Sequence, residues 1–310
     1  MSKRALFFPG QASQYVGMGR DLFDGSEEVR RLYDLASSEM KTDIARLSFE
    51  GPADELKRTR ITQPAILLHS LAVLTVMKDE LPPFDYAAGH SLGEYGALAV
   101  CGVLSFDDAL KAVIRRAALM EEACRQQEGT MAALMGLSLS QVEEVCRIAS
   151  AEGVVVPANF NSEIQVVISG AKSGVEKALV VAREKGAKRA MLLEVGGAFH
   201  SPLMEPARVG LEKYLQQLVF NKPRKPVVAN VTARPVYEAS EIKQLLVKQL
   251  TAPVKWAQTM SYLKEEKVTE IVEIGPGKVL TGLAKRALEP EVMVNLDKME
   301  DIAGYVTAVK

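Results

Sequence analysis

The most constraining stretch of this chain is a change of rhythm between residues 129 and 196. There, short apolar runs and amphipathic segments follow one another closely. They read as a strand over 131–135, a helix over 138–151 and strands over 154–160 and 164–169, then a helix over 173–185 and a strand over 189–195. A β-α-β-β-α-β order of this length is the split βαβ, ferredoxin-like signature. Gly129 and Gly196-Gly197 bracket it. On either side, strands and helices alternate at a longer period, which implies a mostly parallel sheet covered on both faces. The chain therefore reads as an α/β protein. A small domain at 129–196 is inserted into a larger one made of 1–128 and 197–310.

Composition removes several function classes. With 38 Lys and Arg against 39 Asp and Glu, the chain has no general electrostatic reason to bind nucleic acid or an anionic membrane. The longest apolar stretch, Ala65 to Met77, is interrupted by His69 and Ser70 and is too short to span a bilayer, so it reads as a buried helix. The apolar run after Met1-Ser2-Lys3-Arg4 is too short for a signal-peptide core. Cys101, Cys124 and Cys146 are odd in number, widely spaced and without a C-x-x-C pair. They fit buried thiols in a reducing, cytoplasmic setting better than a disulfide framework or a zinc site.

Chemistry enters at Gly89-His90-Ser91-Leu92-Gly93. A G-x-S-x-G run after a short strand (85–89) and before a helix is how a tight elbow lifts a serine hydroxyl into a pocket. A serine nucleophile needs a base, and the chain has three histidines, His69, His90 and His200. His69 lies in the apolar helix among leucines, where packing is its role. His90 adjoins Ser91, where successive side chains diverge, and suits support of the elbow. His200 follows two glycines and precedes Pro202 in a loop, so by elimination it is the base. No carboxylate before His200 stands out as a third triad member, which suggests a Ser/His dyad held by a carbonyl or an amide.

Two further segments stand beside the elbow. Phe8-Pro9-Gly10-Gln11 ends the first strand, where loop N–H groups could receive an oxyanion, although an ordinary turn fits equally. Arg115-Arg116 interrupts an apolar helix capped by Ser105, and a buried member of the pair would need an anionic partner such as a substrate carboxylate. Gly275-Pro276-Gly277-Lys278 lacks phosphate-loop spacing and reads as a structural turn.

Taken in order, FPGQASQYVGMG (8–19), TQPA (62–65), GHSLGEYGAL (89–98), ANFNSEIQVVISG (158–170), GAFHSPLM (197–204), APVKW (252–256) and EIGPG (273–277) resemble the malonyl-CoA:acyl carrier protein transacylases of bacterial fatty acid synthesis. The matching segments span almost the whole chain. The resemblance implies an α/β-hydrolase-like core with the inserted ferredoxin-like domain. It makes Ser91 the acylated nucleophile, His200 its general base, and the N–H groups of Gln11 and Leu92 the oxyanion hole. Arg116, rather than Arg115, would hold the malonyl carboxylate, the Gln249 main-chain carbonyl would orient His200, and Gln63 would line the pocket. Asn159, Asn161, Lys188 and Arg189 fall where the thioester carrier approaches. Leu92 and Phe199 resemble malonyl-selective members, since a bulky Phe199 crowds an α-methyl branch, though one methyl discriminates by only ~1–3 kcal/mol. A monomeric enzyme is implied, with malonyl-CoA and acyl carrier protein as partners and no cofactor beyond these substrates. Loading of polyketide synthase carriers, thioester hydrolysis and non-catalytic carrier docking remain the alternatives.

Overall fold

The computed structural model describes residues 2–309. Strands follow in chain order as β1 (Lys3–Phe8), β2 (Tyr86–Gly89), β3 (Gly129–Met135), β4 (Val155–Ser162), β5 (Gln165–Ala171), β6 (Arg189–Leu192), β7 (Val227–Ala229), β8 (Arg234–Val236), β9 (Val268–Ile274) and β10 (Val292–Leu296). The larger sheet has the order β10-β9-β1-β2-β7-β8, parallel throughout except for the antiparallel β7/β8 pair. The smaller sheet, β4-β5-β3-β6, is antiparallel, as the split βαβ reading requires.

The central strand shows why this sheet is buried on both faces. Ala5, Leu6, Phe7 and Phe8 are all fully buried, so side chains pointing in opposite directions both meet core. Each of the larger three contributes about 1.5–3 kcal/mol on burial. Phe8 packs against Gly96, where a Cβ would lie 2.6 Å from the ring, so the helix Glu94–Val100 can approach β1 closely. The helices Glu27–Met40 and Phe106–Gln126 start where Ser26 and Ser105 cap them, and Ser138 with Gln141 forms a reciprocal capping box on Leu139–Ala149.

Several boundaries differ from the sequence reading. The buried helix expected over Ala65 to Met77 spans Thr59–Val76, so Pro64 sits beyond the first turn and Arg60 and Gln63 join the same helix. Strands β8 and β10 and the helices Trp256–Glu265 and Met299–Val309 were not read from the sequence. Both strands are sheet edges with partly exposed side chains, and so lack the continuous apolar run that marks a buried strand.

The two sheets are stitched together near the elbow. Edge strand β4 bonds to the large body through Phe160 N to Val254 O (2.9 Å) and Val254 N to Ala158 O (2.8 Å). No described helix is long and apolar enough to cross a membrane.

Candidate active site

Three adjacent strands, β1, β2 and β7, deliver Gln11, Ser91 and Asn230 from their carboxyl ends, where parallel α/β sheets gather ligands. The elbow needs its glycines. A Cβ on Gly89 would come within 2.0 Å of Gly93, and one on Gly93 within 2.1 Å of the Phe8 carbonyl. A Cβ on Gly10 would sit 2.7 Å from the His90 carbonyl, so the loop carrying Gln11 lies directly on the elbow. Ser91 itself has φ 52°, a left-handed conformation rare for a side-chain-bearing residue and typical of strained functional turns. Asn230 holds this turn from beneath: its Oδ1 accepts from Ser91 N (2.7 Å) and its Nδ2 donates to Gly89 O (2.6 Å).

Ser91 Oγ lies 2.8 Å from His200 Nε2, and His200 Nδ1 lies 2.8 Å from the Gln249 carbonyl. A carbonyl only accepts, so Nδ1 carries the proton and Nε2 is free to take one from Ser91. His200 is also left-handed, with φ 57°. Arg116 is fully buried and donates through Nη2 to Ser91 Oγ (3.0 Å) and Gln249 Oε1 (3.0 Å), and through Nη1 to Gln63 Oε1. Its Nε has no partner in spite of burial. Among the described residues no carboxylate lies within ion-pair distance of this guanidinium, so the site presents a buried cation with a donor to spare.

Burial, reinforced by the Arg116 charge, lowers the His200 imidazole to about 3, so it is neutral at physiological pH and its Nε2 is unprotonated, although its basicity is suppressed. Among the described residues, Glu94 is the acid hydrogen-bonded into this cluster. Burial pushes its carboxyl up to about 7, against the pull of hydrogen bonds from Asn230 N (3.0 Å) and Gln249 Nε2 (2.9 Å) and of the Arg116 charge. The Gln11 backbone N–H has no protein acceptor among the described residues, and Leu92 N–H lies in the opening turn after the elbow, where helices leave donors unpaired. Nucleophile, neutral base, free backbone donors and a buried cation together suit transfer of an acyl group that carries a negative charge.

Residues 6–305 match the acyl transferase domain family. This chain belongs to that family. It is 45% identical to a malonyl CoA-acyl carrier protein transacylase of Bacillus subtilis (strain 168), over 92% of this chain and 90% of that one. Among solved structures, an acyl-carrier-protein-S-malonyltransferase from Bartonella henselae superposes with a TM-score of 0.94 at 38% identity, covering 99% of each chain. A malonyl-transacylase in complex with its type II polyketide synthase acyl-carrier protein superposes with a TM-score of 0.93 at 37% identity, over 99% of this chain and 100% of that one.

In this acyl transferase the residues singled out from sequence divide into two groups. Ser91, His200, Arg116, Gln63 and Gln249 form one hydrogen-bonded cluster. Arg115, on the other side of the helix, is exposed and borders a separate cavity of about 350 Å³ with Glu39, Arg60 and Lys111. Asn161 is tied to the elbow, its Oδ1 2.9 Å from His90 Nε2, while Asn159 forms the bridge to Val254. Phe199 is buried beside the histidine. Lys188 and Arg189 are exposed on the small sheet, where Lys188 packs over Gly136 and Arg189 pairs with Met135; among the described residues neither is hydrogen-bonded to the cluster. His69 is wholly buried, its Nε2 2.8 Å from the Asp297 carbonyl. All three cysteines are free, and burial raises Cys124 to about 11 and Cys101 and Cys146 to about 12. Sequence reasoning missed Asn230 and Glu94.

Proposed function

We propose that this acyl transferase moves a malonyl group from malonyl-CoA to the phosphopantetheine thiol of an acyl carrier protein, by way of a malonyl ester on Ser91. The observation that carries this reading is the Arg116 guanidinium, buried, without a carboxylate partner and 3.0 Å from Ser91 Oγ. A malonyl carboxylate bound there would set its thioester carbonyl beside the hydroxyl.

Ser91 Oγ attacks the thioester carbonyl while its proton passes to His200 Nε2, and the Gln249 carbonyl steadies the imidazolium through Nδ1–H. The Gln11 and Leu92 N–H groups receive the oxyanion. Collapse expels the CoA sulfur, which takes the proton from His200. The carrier thiol then gives its proton to His200 and attacks the ester carbonyl, and Ser91 leaves with that proton restored. Thioester and ester are close in energy, so both halves reverse. Gln63 lines the pocket through its bond to Arg116, and Phe199 crowds an α-methyl branch. Asn159, Asn161, Lys188 and Arg189 lie on the small-domain side, where we place the approach of the thioester arm.

The reaction needs no cofactor and we assign it to a monomer; unpaired thiols raised by burial favour a reducing, cytoplasmic setting. We favour service to fatty acid synthesis, as the resemblance of the matching segments implies, and a polyketide carrier would be loaded by the same chemistry. Intact-protein mass decides the central claim. Malonyl-CoA should add one malonyl group to the wild type, and holo carrier protein should remove it. Ser91→Ala should stay unmodified; an adduct surviving that change rejects the assignment. Release of malonate without carrier protein would point to a hydrolase.

A further inference from the structure

Glu94 is 2% exposed, and its Oε2 accepts from both Gln249 Nε2 (2.9 Å) and Asn230 N (3.0 Å). These bonds settle which way the Gln249 amide faces. Nε2 points to the carboxylate and to Ser91 O (3.0 Å), leaving Oε1 for Arg116 Nη2 (3.0 Å). Gln249 therefore serves twice, its main chain orienting His200 and its side chain separating the two buried charges of the cluster. Carboxylate and guanidinium stand one amide apart, at most about 8 Å by the lengths of the linking bonds.

A substrate carboxylate on Arg116 would make a line of three charges, with two anions sharing one cation. Each anion then opposes ionisation of the other. We infer that Glu94 is a positioning residue that sets the preference for a carboxylate-bearing acyl group: ionised, it braces Gln249 and Arg116 and opposes a second carboxylate; protonated, it withdraws that opposition. The inference rests on the malonyl-transfer reading above.

The groups facing Glu94 leave it alone to change charge near neutrality. Burial takes His200 down to about 3, and burial lowers His90, which Asn161 holds through Nε2. Tyr95, next along the helix, is raised out of range by burial. Burial draws Arg116 down, yet a guanidinium remains protonated in proteins. Glu94 titrates at about 7. The phosphates of CoA are common to malonyl-CoA and acetyl-CoA and cancel in a ratio of the two.

The experiment is the ratio of kcat/KM for malonyl-CoA to that for acetyl-CoA, with holo carrier protein as acceptor, between about pH 6 and about pH 8.5. In the wild type this ratio should fall roughly tenfold as pH rises, the size of a like-charge interaction at an effective dielectric constant of about 20 between Glu94 and a carboxylate lying beyond Arg116, about 11 Å away. In Glu94→Gln it should be flat, at or above the wild-type value at low pH. A wild-type ratio that does not vary with pH overturns the inference without any variant, as does a slope that persists in Glu94→Gln. A purely structural lesion would slow both substrates together and leave the ratio unmoved. Intact mass on the same samples separates the two readings: a malonyl adduct without the slope removes only the role of Glu94, and no adduct removes both.

Discussion

Replacing Arg116 with Ala is the most informative single change, because its effects on binding, chemistry and stability can be worked out separately. The guanidinium makes three hydrogen bonds to neutral side chains, Gln63, Ser91 and Gln249, and keeps Nε unpaired. Deleting it leaves the Gln63 and Gln249 carbonyl oxygens without that donor, at about 1–3 kcal/mol of stability each. A malonyl carboxylate would lose a buried charged partner, which costs about 2–5 kcal/mol, or roughly thirty- to several-thousand-fold in malonyl acylation. Acetyl has no carboxylate to lose. Removing the positive charge also relieves His200, whose basicity burial and Arg116 together suppress. Acetyl acylation should therefore stay within about tenfold of wild type. Quenched single-turnover acylation, read by intact mass with each acyl-CoA, measures both rates, and circular dichroism confirms that the variant is folded. Equal losses for malonyl and acetyl in a folded variant would refute the assignment of Arg116 to the carboxylate.

Two further outcomes follow from the buried polar groups. His200 is lowered from 6.5 to about 3, so the unfolded chain binds its proton first and stability falls as pH drops through that window. His200→Asn should therefore gain on the wild type by up to about 2.5 kcal/mol between about pH 6.5 and about pH 4.5 in urea titrations; an unchanged difference would show that the imidazole is not held neutral. Asn230→Ala frees Ser91 N and Gly89 O from their shared partner. It should cost about 2–4 kcal/mol in the same titrations and slow acylation by both acyl-CoAs alike, with the malonyl-to-acetyl ratio near wild type.

How much of this was legible beforehand follows the strength of local signals. The elbow announces itself because two glycines are sterically compelled within five residues, and the split βαβ because strand and helix periods alternate over a short span. Arg116 could be told from Arg115 by resemblance, and the structure separates them by placing one residue inside the helix packing and its neighbour outside. Asn230 carried no pattern. Its only clue is a place just past the end of β7, and that strand is three residues long. Glu94 was hidden differently: an acid in the first turn of a helix is favourable for the dipole alone, so sequence offers no reason to suspect a buried partner. The edge strands escaped because half-exposed chains lack apolar continuity. What stayed illegible consists of contacts between residues more than a hundred positions apart, such as Glu94 with Gln249.

The backbone at Ser91 and His200 has one more implication. Both reacting side chains stand in left-handed turns, conformations that disfavour any L residue by about 1–2 kcal/mol and that glycine adopts freely. At these two positions the local preference of the chain and the demands of its chemistry are opposed. A glycine at either would relax the turn and silence the enzyme. Activity in this fold is thus a tension maintained against its own backbone and held by the surrounding sheet ends.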